Sequence, residues 1–326
     1  MPNSTTITIL LCSFEIHYVT PQSRVMMRVL SAFILIATLT MALLNGYVVI
    51  VMTTSKKMRS GHRISLVLLF ILVLIDLVGS LVFMPVYNAT TWMMSAGKVS
   101  CTLHKIVHIM GHALCMLTIL TIMFITIQLY LAVVKPFVYQ GQHNRRYYWV
   151  YLIATWGVTF LLIFCWIFLY PERWGRFKKI IGTSFVTIVF ALICFLHVHV
   201  HNEVREIMRK GSNNPTLATA TATSANQKTI RMTAFVVAVF GFCYLPFAVI
   251  TVYEFITKGG TDSPAFSTLY VHPWVELAGV SNGVWNPIIY CFRLSFIKRR
   301  ENCLRHKKKT RRVFRVTTVP NTSSKM

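Results

Sequence analysis

Acidic residues are what this chain has least of. Asp and Glu number 9 against 33 Lys and Arg, giving a formal net charge of +24 over 326 residues. Charged residues of both signs make up only 13%, against about 25% in ordinary soluble domains. A soluble fold of this length needs a more polar surface than that. With 55% hydrophobic residues and a mean hydropathy of +0.59, the chain reads as one membrane domain rather than two soluble ones. A basic excess also fits nucleic-acid binding. Here the basic residues stand beside apolar runs, and helices sunk in lipid leave no soluble basic face. No nucleic-acid partner is expected.

Motifs of chemistry are missing too. The eight cysteines, at positions 12, 101, 115, 165, 194, 243, 291 and 303, show no CxxC or other metal-ligand spacing. There is no HExxH, phosphate-binding loop or nucleophile–base motif, so neither an enzyme nor a catalytic residue is expected. Internal repeats or several intramembrane charges would mark a transporter, and neither is present. The first 25 residues lack a long apolar core after a basic start, so no cleavable signal peptide is read there.

What the chain does have is seven apolar runs long enough to cross a bilayer, at 26–53, 64–87, 98–133, 147–169, 179–199, 230–256 and 269–292. Lys and Arg cluster after the first, third, fifth and seventh runs: Lys56, Lys57, Arg59 and Arg63; Lys135, Arg145 and Arg146; Arg205, Arg209, Lys210 and Lys228; and Arg293, Lys298, Arg299 and Arg300 onward. Alternating helices put all of these on one side, which the positive-inside rule makes cytoplasmic. The expected layout is an extracellular N-terminus at 1–25, a seven-transmembrane helix bundle at 26–292, a short amphipathic eighth helix at 293–304 and a basic cytoplasmic tail at 305–326. The eighth helix rests on Leu294, Ile297 and Leu304 set among basic residues. Cys303 beside it is either a palmitoylation site or a plain thiol. The stretch 211–227 is small and polar and reads as a flexible linker. Asn3-Ser4-Thr5 and Asn88-Ala89-Thr90 are glycosylation sequons on the outer side, the second close to the bilayer.

Polar groups inside a bilayer are costly and carry functional meaning. Asp76 is the one acidic residue in the middle of a run, where it costs on the order of 3 kcal/mol. Asn45, Thr118, Asn282 and Asn286 are its candidate partners. Together they form either a structural hydrogen-bond network or a pocket for water and a small cation. Pro246 and Pro287 sit inside the sixth and seventh runs, where each removes a backbone hydrogen bond and kinks its helix. His104, His108 and His112 recur every four residues in the third run. They read either as a proton or metal sensor or as a polar pocket wall, and the second reading is preferred, with no metal site assigned.

These residues occur in a set order along the chain: Asn45-Gly46, Leu74-Ile75-Asp76, Trp92, Cys101, Tyr130 through Lys135-Pro136, Trp156, Phe240 with Cys243-Tyr244-Leu245-Pro246-Phe247, and Asn286-Pro287-Ile288-Ile289-Tyr290. The ordered set resembles the class A (rhodopsin-like) G-protein-coupled receptors, over about residues 26–304. The resemblance implies a sodium-and-water pocket at Asn45, Asp76, Thr118, Asn282 and Asn286. It implies an activation switch at Phe240, Tyr244, Pro246, Pro287 and Tyr290, with Tyr244 standing where the family usually has Trp. It implies a G-protein-side motif at Gln128-Leu129-Tyr130, where the family has Asp-Arg-Tyr. Leu129 has neither the charge nor the donors of that Arg, and the usual Pro and Tyr of the fifth helix are missing. Cys101 matches the cysteine that the family joins to the second outer loop. That loop, 170–178, holds no cysteine, so a Cys12–Cys101 bridge is the expectation.

The family's amine receptors place an Asp where this chain has Gly111, which argues against an amine ligand. The retinal-binding Lys of opsins corresponds to Val280, so no retinal is expected, and no cofactor beyond Na+ at Asp76. The expected outer cavity is lined by His108, Gly111, His112, Tyr253, Glu254, His272, Trp274 and Glu276. The basic loop above it, with Arg173, Arg176, Lys178 and Lys179, suits an anionic or peptide ligand or lipid headgroups. The resulting expectation is a plasma-membrane receptor that passes an extracellular signal to a heterotrimeric G protein by helix rearrangement. The alternative is a receptor-like protein with weak or non-G-protein coupling, because Leu129 replaces the Arg.

Overall fold

A computed structural model describes residues 21–54, 64–98, 101–135, 150, 153–154, 156–157, 159–161, 175–211, 217–257 and 271–291. Asn3, Cys12, Cys303, the segment 293–304 and the tail 305–326 lie outside the described residues. So do the side chains of Cys101, His108 and His272. Among the described residues the elements are all helical.

The first span is Pro21–Thr54. The second runs through Ile64–Val78, a π turn at Gly79–Phe83, and Met84–Ser95. The third is Cys101–Val134, the fifth Gly175–Gly211 and the sixth Leu217–Thr257. Described positions of the fourth fall at 150–161, and the seventh is His272–Val280 followed by a helix at 282–291. Five of these helices are long and apolar enough to cross a membrane among the described residues. At 1.5 Å per residue the 34-residue first and third spans reach about 51 Å, more than the roughly 30 Å hydrocarbon core, so they tilt or project beyond it.

The spans pack in a ring. First meets second, second meets third, third meets fifth, fifth meets sixth, sixth meets seventh, and seventh returns to first. The third span also touches the sixth, which places it innermost. Side chains facing away from this ring are apolar and exposed, including Leu43, Ile188, Phe195, Phe235 and Phe242. Lipid tails are their natural solvent. Hydroxyls within the spans bond back to carbonyls of the preceding turn, as Thr38 does to Ile34, Thr121 to Leu117, Thr126 to Ile122 and Thr251 to Phe247. Each of these four hydroxyls is thereby satisfied without water.

The buried core has three layers. At the end where the chain enters the first span, Leu30, Ile34, Phe83, Met84, Tyr87 and Val107 pack together. In the middle, Val48, Leu72, Ile119, Ile193, Val236 and Phe240 join five spans around Tyr290. At the far end, Leu129, Val133, Val200, Val204 and Ile230 tie the third, fifth and sixth spans.

Two boundaries show how the structure departs from the sequence reading. The second span continues to Ser95 rather than ending near 87, so Trp92 is helical, and Gly97 with φ of 75° follows its end. Within it, Pro85 has no N–H to give. The Met84 N–H reaches back to the Gly79 carbonyl, and this wider turn absorbs the defect. The sixth span begins at Leu217, inside the stretch expected to be a flexible linker. Extending an existing helix costs far less than nucleating one, and the alanines there favour it.

Candidate functional site

Asp76 enters the bundle middle from the second span just before the π turn, and only 5% of it is exposed. The Asn286 side-chain amide donates to its Oδ2 at 2.9 Å. Asn45 donates from the first span to the carbonyls of Met41 and Gly283, each at 2.9 Å, and so ties the first span to the seventh. Thr118 and Asn282 are buried beside them and share a cavity wall with Asp76. The structure therefore brings together all five residues expected there.

The seventh span makes this possible by breaking its own helix. Its first helix stops at Val280 and Ser281 forms a turn. The Ser281 N–H still bonds to Leu277 O, while the Ser281 carbonyl accepts from Val284. Asn282 and Gly283 fall at the break. A Cβ at Gly283 would have to displace the end of the Met41 side chain, whose sulfur lies 2.9 Å away, and would meet Asp76 Oδ1 at 3.4 Å. The sequence reading missed Ser281 and Gly283. The Ser-Asn-Gly run ahead of Pro287 is the signal that marked them.

The side-chain oxygens of Asn45, Asn282 and Asn286 are buried and accept no hydrogen bond. Buried acceptors of this kind call for a donor or a cation. Carboxylate, amide and hydroxyl oxygens are the donor set for a hard cation. Among the described residues no cluster of three His, Cys, Asp or Glu forms a transition-metal site.

A cavity of about 160 Å³ rises from Asp76 toward the entry end. Gly111 and His112 of the third span and Glu276 of the seventh line it, as the sequence reading expected. A Cβ at Gly111 would rest against the Phe83 ring at 3.4 Å, an ordinary contact. Tyr253, Glu254 and Trp274 are not in the chamber wall. Tyr253 is exposed, Glu254 is buried, and Trp274 packs edge-on against Phe33 with ring centroids 5.7 Å apart. Asn88 lies inside the second span, where its Oδ1 accepts a hydrogen bond from Ser31.

An aromatic ladder runs along one side of the chamber. Phe190 meets Phe240 at 6.0 Å, Phe240 stacks on Tyr244 at 5.8 Å, Tyr244 meets Phe247 at 5.9 Å, and Phe247 takes His112 edge-on at 6.3 Å. The Tyr244 hydroxyl donates to the Thr183 carbonyl at 3.2 Å, linking the sixth span to the fifth. Cys243 contacts Ser281 at 3.6 Å, linking the sixth to the seventh. Pro246 sits inside the sixth helix, and Pro287 is buried in the seventh.

At the far end Leu129 is 7% exposed within its apolar layer, flanked by half-buried Gln128 and by Tyr130, whose ring lies 5.6 Å from His199. Tyr290 is fully buried in the layer above. A leucine thus packs where an arginine would have needed charged partners.

Comparison with known proteins agrees with this geometry. Residues 44–179 and 164–290 match the 7 transmembrane receptor (rhodopsin family). The somatostatin receptor type 2 of Sus scrofa is 28% identical over 194 residues, covering 53% of this chain and 49% of that protein. The trace amine-associated receptor 4 of Rattus norvegicus is 26% identical over 221 residues, covering 60% of this chain and 61% of that protein. The chain thus spans about half the length of the first of these relatives and under two thirds of the second. The family match extends over more than half of the 326 residues, and the chain, a multi-pass membrane protein, belongs to the rhodopsin family of seven-transmembrane receptors.

Proposed function

We propose that the chain is a plasma-membrane receptor, with its N-terminus and the chamber mouth outside, that binds an extracellular ligand and signals to a heterotrimeric G protein. The observation that carries this reading is the chamber. One cavity runs from Gly111, His112 and Glu276 down to Asp76, past Phe240 and Tyr244. A ligand in its upper part touches the same wall that continues into the Asp76 cluster and the broken seventh helix. Binding that favours one arrangement of that wall shifts the population of helix arrangements. Na+ at Asp76 would be met by the free amide oxygens of Asn45, Asn282 and Asn286, and binding there favours whichever helix arrangement holds those oxygens together.

Coupling is drawn from family membership and from the packed far end. The Leu129 layer joins the third, fifth and sixth spans, and a G protein needs a cleft between them. The test is second-messenger output in cells expressing the chain with an N-terminal epitope. The epitope is expected to be reachable on intact cells. Wild type is expected to shift cyclic AMP or inositol phosphate from the mock-transfected level, and Leu129→Arg to enlarge the shift. No change from mock by either protein at matched surface expression sinks the coupling reading.

A further inference from the structure

The chamber wall has a chemical bias. Of the groups that face it, Asp76 and Glu276 are carboxylates, and Asn282 presents an amide oxygen that accepts nothing. Among the described residues no Lys or Arg lines it. Two of the hydroxyls that line or border it are committed, Tyr244 to the Thr183 carbonyl and Tyr87 to the Pro273 carbonyl, while the Thr183 hydroxyl has no partner and the His112 imidazole also lines the wall. Among the described lining residues the two carboxylates thus outnumber the single imidazole, and no permanent positive charge faces them. The rest is apolar, from Phe83, Leu114, Met116, Val186, Phe240 and Phe247. Sites of this build hold an apolar body and orient it with a few polar contacts.

We infer that the ligand is a small organic cation, an apolar body with one protonated nitrogen, seated with that nitrogen on Glu276. The inference rests on the reading of this chamber as the ligand site and names the ligand's chemistry. Glu276, Gly279, Val280 and Gly283 form one face of the seventh span, at spacings of three, four and seven. Gly279 opens that face, since a Cβ there meets nothing within 4 Å. A ligand body slides past Gly279 while Glu276 holds its charged end. The anchor that the third span lacks at Gly111 thus comes from the opposite wall. The sign is opposite to the one suggested by the basic residues at 173–179. A carboxylate in a largely apolar chamber discriminates strongly against an anion.

The test uses purified full-length protein and three probes of equal length: 4-phenylbutylamine, 4-phenylbutan-1-ol and 4-phenylbutanoate. Thermal unfolding reads binding without any need for coupling, because a ligand that binds only the folded state raises its melting temperature. The amine is expected to stabilise wild type saturably, with an apparent Kd at least tenfold below that of the alcohol, and the carboxylate to give no shift. Glu276→Gln is expected to weaken the amine at least tenfold more than it weakens the alcohol. Gly279→Leu, which grows into open space, is expected to abolish stabilisation by the amine and the alcohol alike. Tighter binding of the carboxylate than the amine, no shift by millimolar amine, or amine affinity unchanged in Glu276→Gln overturns the inference. Loss of amine binding in Asp76→Asn but not in Glu276→Gln overturns the seat on Glu276. If the carboxylate binds and Gly279→Leu blocks it, the chamber remains the ligand site and the cationic class alone falls.

Discussion

At the residue scale, two positions test the pocket. Asp76 is held by Asn286 at 2.9 Å in a setting with almost no solvent. Removing a donor from a buried charged acceptor costs roughly 2–3 kcal/mol, so Asn286→Ala is expected to lower the melting temperature clearly. A sodium titration is the sharper measurement. Replacing choline by Na+ at constant ionic strength is expected to raise the melting temperature of wild type and not of Asp76→Asn. Equal behaviour of the two proteins sinks cation binding there. Gly283→Ala drives a methyl into the Met41 side chain and toward Asp76. Overpacking of that kind costs about 1–3 kcal/mol, and Gly283→Ala with Met41→Ala is expected to recover most of the loss. Independent effects of the two substitutions would mean the first and seventh spans do not meet as described. The sequence made Asp76 and its partners legible, because a lone acid in an apolar run demands company. The roles of Gly283 and Ser281 were harder to read, because the Ser-Asn-Gly run marks a break in the helix but not the neighbouring helix that the break lets in.

At the element scale, the links that hold the sixth span decide how it moves. Tyr244 donates to the fifth span, and Cys243 contacts the seventh through Ser281. Tyr244→Phe removes one hydrogen bond worth about 0.5–1.5 kcal/mol while keeping the stacking on Phe240. It is expected to raise basal second-messenger output with only a small loss of thermal stability. A silent Tyr244→Phe with unaltered basal output would make that bond mere packing. Leu129 is the stronger tie. Cutting it to Ala leaves a gap among Val133, Val200, Val204 and Ile230, at a cost of about 2–5 kcal/mol. The expected result is lower stability together with higher basal output, since the far end is loosened where it must part. Helix existence was plain in the sequence from the length of each apolar run. Helix ends were not. The second span outran its apolar run to Ser95, and the sixth began at Leu217, because polar residues extend a helix cheaply once lipid-buried turns have formed it. The π turn was hidden for another reason. Pro85 announces a defect, but only packing decides whether a helix kinks, breaks or widens there.

At the scale of the whole molecule, the ring of spans and the order of motifs were legible together, since each motif names its helix. The chamber was legible only in part. Gly111, His112 and Glu276 line it as expected, while Tyr253, Glu254 and Trp274 belong to other surfaces. Helical phase over a tilted, kinked bundle cannot be read from spacing to better than about a residue, and at 100° per residue that moves a side chain from the cavity to the outside. The central claim is that filling this chamber changes the arrangement at the far end. The direct measurement is the distance between spin labels on Lys135, at the end of the third span, and Arg231, on the exposed side of the sixth, with reactive native cysteines replaced. Two distance populations are expected, and saturation with 4-phenylbutylamine is expected to change their ratio. An unchanged distribution, in protein whose raised melting temperature proves the chamber full, would contradict it.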